Sequence, residues 1–321
     1  MQIVNRENFK NFESHKLKIK ILSQVSNIYH EMILFEEVKK KDSFLVLENE
    51  KVIAVVPLYF EKILKTEKLI GSYLNLSIPG PIILENLNDK KFKKLISLIL
   101  EEIDLRSIKY GIKHLKINFS DTILHQVGSQ KYFSLLEKLS AHNFKNFFSL
   151  GLRINLKKNL KEIFKNFSKG HKSEIKKQTY QEYSFLNYDK KKIKYEEFKS
   201  FFDQSIRNNN DIKMLHELYK KNKIYAAFLK SEKKEFFSCL FTIAGNTVEY
   251  FFSNSSLNHH SLIVAAINFF KKIEFLEFLS FGVVNTLDNF ETLSKKKKNI
   301  AVFKKGFGGE KFKYIFFEKE Y

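Results

Sequence analysis

Cysteine is nearly absent. Cys239 is the only one in 321 residues, which excludes a disulfide framework and any zinc or iron–sulfur site built on cysteines. Arginine is almost as scarce: Arg6, Arg106, Arg153 and Arg207 stand against 52 lysines. The planar fork suited to bidentate phosphate or base recognition is therefore largely missing. Long apolar runs are missing too. The longest, Val52 to Phe60, has the length of a buried strand and falls well short of the roughly 18 residues of a membrane span. The first 30 residues hold Arg6, Lys10, Glu13, Lys16, Lys18 and Lys20 with no continuous apolar stretch, so no cleaved signal peptide is expected. Together these absences predict a cytoplasmic protein without a transmembrane segment.

What is present is apolar surface and positive charge. With 44% apolar and 15% aromatic residues the chain can bury a sizeable core, and its length suggests two domains. The net charge of +20 is unevenly spread: residues 1–150 carry 23 Lys/Arg against 17 Asp/Glu, and residues 151–321 carry 33 against 19. Eight lysines between Lys157 and Lys177 oppose only Glu162 and Glu174. Such a run is either a solvated helix face or a phosphate-binding surface, and the sequence leaves both open.

Apolar spacing divides the chain into two similar halves, 1–156 and 157–321. In the first, Ser43 to Tyr59 reads as a hairpin, Asn88 to Gly111 as an amphipathic helix, His114 to Phe119 as a strand, Gln130 to Leu139 as a helix and Phe147 to Leu156 as a closing strand. In the second, a basic helical region spans Asn159 to Tyr180 and a helix spans Tyr195 to Asn208. A meander follows over Ile224–Leu229, Glu235–Ala244 and Thr247–Ser253, then a helix over His260–Ile273 and strands over Glu277–Phe281, Ala301–Lys305 and Phe312–Glu318. Alternating elements with hairpins predict an α/β fold of mixed sheets.

Several signatures fail. Gly306-Phe-Gly-Gly is followed by Glu310-Lys311, not by the lysine and hydroxyl residue of a P-loop. His216-Glu217 has Lys220 where a zinc-protease helix needs its second histidine. There is no nucleophile elbow, and Cys239 sits in an apolar run as a small core residue. No metal site is expected.

Three segments, in order, do carry a resemblance. Val52-Ile-Ala-Val-Val-Pro-Leu-Tyr with Ser77-Ile-Pro-Gly-Pro-Ile is similar to the opening hairpin and proline loop of Fem-like acyltransferases. Phe167-Ser-Lys-Gly-His-Lys-Ser-Glu-Ile-Lys-Lys resembles their basic helix after the domain joint. Ile300-Ala-Val-Phe-Lys-Lys-Gly-Phe-Gly-Gly-Glu resembles their C-terminal signature. The family is the double-domain branch of the GNAT superfamily, which includes peptidoglycan-bridge aminoacyltransferases and acetyltransferase-like proteins. The resemblance implies two tandem acyl-CoA N-acyltransferase folds and acylation of an amine, with acyl-CoA or aminoacyl-tRNA as co-substrate. It also implies a sugar-nucleotide or peptidoglycan-precursor acceptor. Lys172, Lys176 and Lys177 stand where the family more often has arginine, and Ser280 where an acidic residue is frequent. No long helical arm is inserted, which favours the compact members.

In such folds a splayed strand offers a backbone N–H to the oxyanion; here that strand is near Tyr250 to Ser253. The loop that would cradle the CoA pyrophosphate reads Ser256-Leu-Asn-His-His-Ser-Leu, without glycine, which turns the expectation toward aminoacyl-tRNA. The resemblance places Lys304 against substrate phosphate or donor. Phe303 beside it either packs or touches ligand, and Gly306, Gly308 and Gly309 suggest a bend that lets backbone approach a partner. Lys172 and Lys176, four apart, share a helix face and can bind a diphosphate, while Ser168 can cap that helix and His171 is expected in solvent. Tyr250 is the candidate to protonate a leaving group; no general base is assigned, and Asp288, His259 and His260 are the candidates. The expected function is N-acyl transfer to an amine of a sugar-nucleotide or cell-envelope precursor, with room for tRNA and for peripheral membrane contact. The alternative is a non-catalytic basic protein that binds RNA or an anionic envelope polymer.

Overall fold

The computed structural model describes residues 1–5, 40–62, 69–71, 78–120, 131, 133–177, 183–186, 194–200, 209–220, 224–230, 236–244, 246–253, 260–286 and 295–321. These form two compact units. One takes in the described residues up to Ser149 together with Lys313–Tyr321, and the other is Leu150–Phe312.

The first unit carries β1 (Gln2–Asn5), β2 (Lys40–Lys41), β3 (Phe44–Glu48), β4 (Lys51–Val56) and β5 (Tyr59–Lys62). It continues with β6 (Leu69–Gly71), β7 (Ile78–Pro79), β8 (Ile82–Ile83), helix α1 (Asp89–Lys109) and β9 (Ile112–Ser120). The hairpin expected over Ser43–Tyr59 is β3 and β4, joined by Asn49 and Glu50 at φ 50° and 63°, a two-residue turn whose left-handed pair matches the strand twist. Pro57 ends β4 because it has no N–H for the ladder, and the chain then leaves the antiparallel sheet β1-β3-β4-β8 for the mixed sheet containing β5, β6 and β9. Helix α1 starts where the Asn88 side chain accepts from Lys91 N–H at 2.9 Å, and its apolar stripe (Phe92, Leu95, Ile96, Ile99, Ile103) is buried. Arg106 closes the same face. Its guanidinium meets Glu102 Oε1 at 2.6 Å, Asp42 O at 2.9 Å and Asn5 Oδ1 at 2.8 Å, and lies over the Phe44 ring.

The second unit begins within β10 (Lys145–Asn155) and continues through α2 (Leu160–Lys165), α3 (Lys169–Lys177), β11 (Tyr183–Leu186), α4 (Tyr195–Ser200) and α5 (Asn209–Lys220). Then come β12 (Tyr225–Lys230), β13 (Phe236–Ala244), β14 (Thr247–Ser253), α6 (His260–Phe270), β15 (Phe278–Thr286) and α7 (Lys295–Gly306). The sheet order is β11-β12-β13-β14-β15-β10; β11 to β14 are an antiparallel meander, and α6 makes the crossover that lets β15 run parallel to β14. The last strand, β16 (Glu310–Glu320), pairs antiparallel with β9 from Tyr314 onward. Leu262, Ile263, Ile267 and Phe270 of α6 cover Phe241, Val248 and Phe281 of the sheet.

One expectation is corrected here. Ala301–Lys305, read as a strand, lies inside helix α7. Ala301 faces in while Ile300 and Val302 face out, so a short window satisfies either period. The basic helical region expected from Asn159 consists of two helices. Asn166 caps α2, Phe167 turns into the core against Phe164 and Phe307, and Ser168 starts α3 afresh.

Candidate active site

In the second unit, β14 and β15 part company. Their parallel ladder covers Thr247–Glu249 against Phe278–Ser280 and stops there, although β14 runs on to Ser253 and β15 to Thr286. Both strands are deformed at the parting. On β14, Leu240 of β13 faces Phe252 while Phe241 faces Tyr250, so Phe251 is an extra residue, a bulge that strengthens twist and re-aims the strand. On β15, Gly282 stands at φ 64°, and the buried Ser280 hydroxyl accepts its N–H at 3.0 Å. A side chain at Gly282 would meet nothing within 4 Å among the described residues. Opened parallel ladders present backbone N–H groups that a substrate oxygen can use.

Helix α7 packs against β15, and α3 and α6 close on it through two buried histidines. His171 of α3 and His260 of α6 meet edge to face, ring centres 4.2 Å apart at 89°. His171 Nε2 lies 2.8 Å from the Phe303 carbonyl, which can only accept, so Nε2 carries the proton. Nδ1 is then the acceptor for the Ser168 hydroxyl at 3.1 Å, and Ser168 Oγ in turn accepts the His171 N–H, the cap expected of it. His171 is 8% exposed, which corrects its expected place in solvent. The signal was present: Ile163, Phe167, His171 and Ile175 recur every four residues and all turn inward.

Burial pulls His171 down from 6.5, and burial with the neighbouring His171 brings His260 to about 4. His260 Nδ1 is buried with no hydrogen-bond partner among the described residues, so a second proton there would have nothing to bind. The neutral forms belong to the folded state and the charged ones to the unfolded. Stability is therefore complete above pH 6.5 and is lost as pH falls toward 4, by about 3 kcal/mol for His260. Urea midpoints at pH 7 and pH 4.5, compared with those of His260→Phe, check this, since the variant should lose most of the difference.

No family model matches the sequence, and no curated protein matches it. Solved structures do. FemX aligns over 100% of this chain and 98% of its own, with TM-score 0.61 and 13% identity. A tandem GNAT protein from the clavulanic acid biosynthesis pathway aligns over 99% and 98%, with TM-score 0.55 and 10% identity. L-PGS from Bacillus licheniformis aligns over 95% and 90%, with TM-score 0.54 and 11% identity. This chain has the tandem GNAT fold of Fem-like proteins. The mixed α/β architecture expected from the sequence is that fold, and the parted β14 and β15 lie in its second GNAT-like half.

The GNAT frame shows where each candidate stands. Lys304 lies in the last turn of α7, half-buried, and burial brings its ammonium from 10.5 to about 8. Phe303 packs its ring on His260 at 5.1 Å and gives its carbonyl to His171. Lys172 donates to the Lys165 carbonyl at 2.9 Å, closing α2, while Lys176 is on the exposed side of α3. Tyr250 follows the end of the ladder on β14, its ring 5.8 Å from Phe241 and 6.0 Å from Phe281, and burial raises its phenol well above 10. Gly306, Gly308 and Gly309 approach the protein's own chain: the His171 ring, the Asn166 carbonyl and the Arg153 carbonyl in turn. Gly308 also lines a cavity of about 330 Å³ with Asn155, Lys158, Asn166 and Glu310. Asp288 and His259 lie outside the described residues, as does the stretch 254–259 in which a pyrophosphate loop would fall. Among the described residues no cluster of histidine, cysteine and carboxylate could hold a metal ion, and no helix is long and apolar enough to cross a membrane.

Proposed function

We propose that this chain is an N-acyltransferase that moves an acyl or aminoacyl group from its carrier to an amine of a sugar-nucleotide or cell-envelope precursor. The parted β14–β15 ladder is the observation that supports this most. In the reaction the neutral amine nitrogen bonds to the carrier's acyl carbon, the carbonyl oxygen becomes an oxyanion, the carrier's C–S or C–O bond breaks, and the amine's proton leaves with the carrier. Alignment supplies much of the rate, and backbone N–H groups of β14 beyond Glu249 supply the oxyanion stabilisation. Tyr250, whose phenol keeps its proton at neutral pH, is assigned as the relay that gives its proton to the leaving group as it takes up the amine's. Lys304 gives its positive charge to an anionic group of the substrate, and Phe303, Lys172, Lys176 and Gly308 are assigned to substrate binding around it.

The donor to test first is acyl-CoA, because AcCoA is associated with the similar tandem GNAT protein of the clavulanic acid biosynthesis pathway; aminoacyl-tRNA is the second. The assay incubates the full chain with labelled acetyl-CoA or charged tRNA and a panel of UDP-amino sugars and muropeptide precursors. Carrier release that rises only when an amine acceptor is added is the expected result. Binding of RNA or an anionic polymer with no transfer from either donor would replace this reading with the basic binding protein.

A further inference from the structure

Resting on the assignment of Lys304 to the substrate, we propose that His171 is its positioning residue: the imidazole holds the peptide group that joins Phe303 to Lys304. The carbonyls of the last helical turn have no intrahelical partner. In α7 those of Lys304 and Lys305 are taken by Phe307 N–H at 3.3 Å and Gly308 N–H at 3.0 Å. The other two are supplied by α3. His171 Nε2–H donates to Phe303 O at 2.8 Å, and Ser168 N–H donates to Gly306 O at 2.8 Å. The end of α7 is thus closed by the start of α3, and the carbonyl that His171 grips belongs to the same peptide plane as the Lys304 nitrogen.

The grip is rigid. Nδ1 is fixed by Ser168, His260 lies edge to face at 4.2 Å, Phe307 at 4.6 Å and 86°, and the ring fits over Gly306 only because that residue has no side chain. It is also tautomer-dependent. Protonation at Nδ1 forces the Ser168 hydroxyl to turn from donor to acceptor and puts a charge against His260. The titratable groups acting on the pair are each imidazole on the other and Glu174 of α3, whose carboxylate is held by Lys177 at 2.8 Å. Phe303 of α7 and Phe307 just after it bring rings and a carbonyl to it.

The test reads Lys304 directly. Lysines of the full chain are reductively ¹³C-methylated, the Lys304 signal is assigned with Lys304→Arg, and its shift is followed from pH 4 to 11. In the wild type it should titrate near 8 and show a second step below pH 6.5 as the histidine charges. His171→Phe keeps a ring but removes the donor; His171→Gln returns an amide N–H. The Phe variant should raise the Lys304 midpoint by about one unit or more, abolish the lower step and cut kcat by about tenfold with little change in KM. The Gln variant should restore the midpoint and kcat. A Phe variant that titrates like the wild type, or a Gln variant as shifted as Phe, overturns the proposal. If the Phe variant does not fold, the lower step in the wild type decides: present, it supports the grip, and absent, it refutes it. Expected titrations without acyl transfer from any donor would uphold the positioning role and overturn the enzymatic reading alone.

Discussion

Gly306→Ala should destabilise the protein by about 3 kcal/mol, although alanine at a helical position normally gains about 1 kcal/mol over glycine. The reversal comes from one neighbour. A Cβ at position 306 would fall inside the imidazole of His171, which two hydrogen bonds hold in place. Relief requires the ring to leave, and leaving orphans the Phe303 carbonyl and opens a gap against His260 and Phe307. The prediction is sharpened by its suppressor. His171→Ala alone leaves a cavity, and adding Gly306→Ala to it fills part of that space, so the second substitution should then be neutral or stabilising. Urea unfolding of the two single variants and the double variant gives the coupling, expected at about 2 kcal/mol or more. A Gly306→Ala variant within about 0.5 kcal/mol of wild type would mean that the ring has another resting place. Gly308→Ala offers no such rescue, because its φ is 67° and its obstacle is the backbone oxygen of Asn166 at 2.5 Å.

That steric relation shows where sequence reading stops. The β3–β4 hairpin, α1 and the β12–β14 meander were legible because each has its own apolar period and turn residues, and local chemistry decides them. Helix α7 was not: around Ala301 the inward and outward residues fit a strand as well as a helix, and only the packing of Phe303 and Phe307 on His260 separates the two. The parting of β14 from β15 was anticipated near Tyr250 through the resemblance and not through spacing. The bulge at Phe251 and the turn of Gly282 are set by pairing between strands distant in sequence. His171 was misjudged because its immediate neighbours Lys169, Gly170 and Lys172 are polar. Its four-residue spacing from Phe167 and Ile175 outweighed them once the helix had two others to pack against. Lys304 was singled out because a lysine in that signature stood out by resemblance, while its perturbed environment comes from burial that no pattern of lysines reveals.

Lys304→Met should lower kcat/KM by about 100-fold while leaving the fold intact or slightly firmer. The variant keeps the length and apolar stem of the side chain and removes a charge that the site holds at a cost, which is why its ammonium sits near 8. The pH dependence then separates two roles. If the ammonium contributes its charge to an anionic group of the substrate, kcat/KM of the wild type falls as pH rises through 8, because the charge disappears. A lysine that accepted the amine's proton would give the opposite sign, with the rate rising over the same range. The charge role is expected, since transfer with the carrier as proton acceptor needs no second base. On the acid side the rate should fall below pH 6.5 as the His171–His260 pair charges and loosens the end of α7. The wild type should therefore show a bell, and Lys304→Met should keep the acid limb while losing the alkaline one. A variant that keeps both limbs would remove Lys304 from the site and leave the parted strands to act with some other cation.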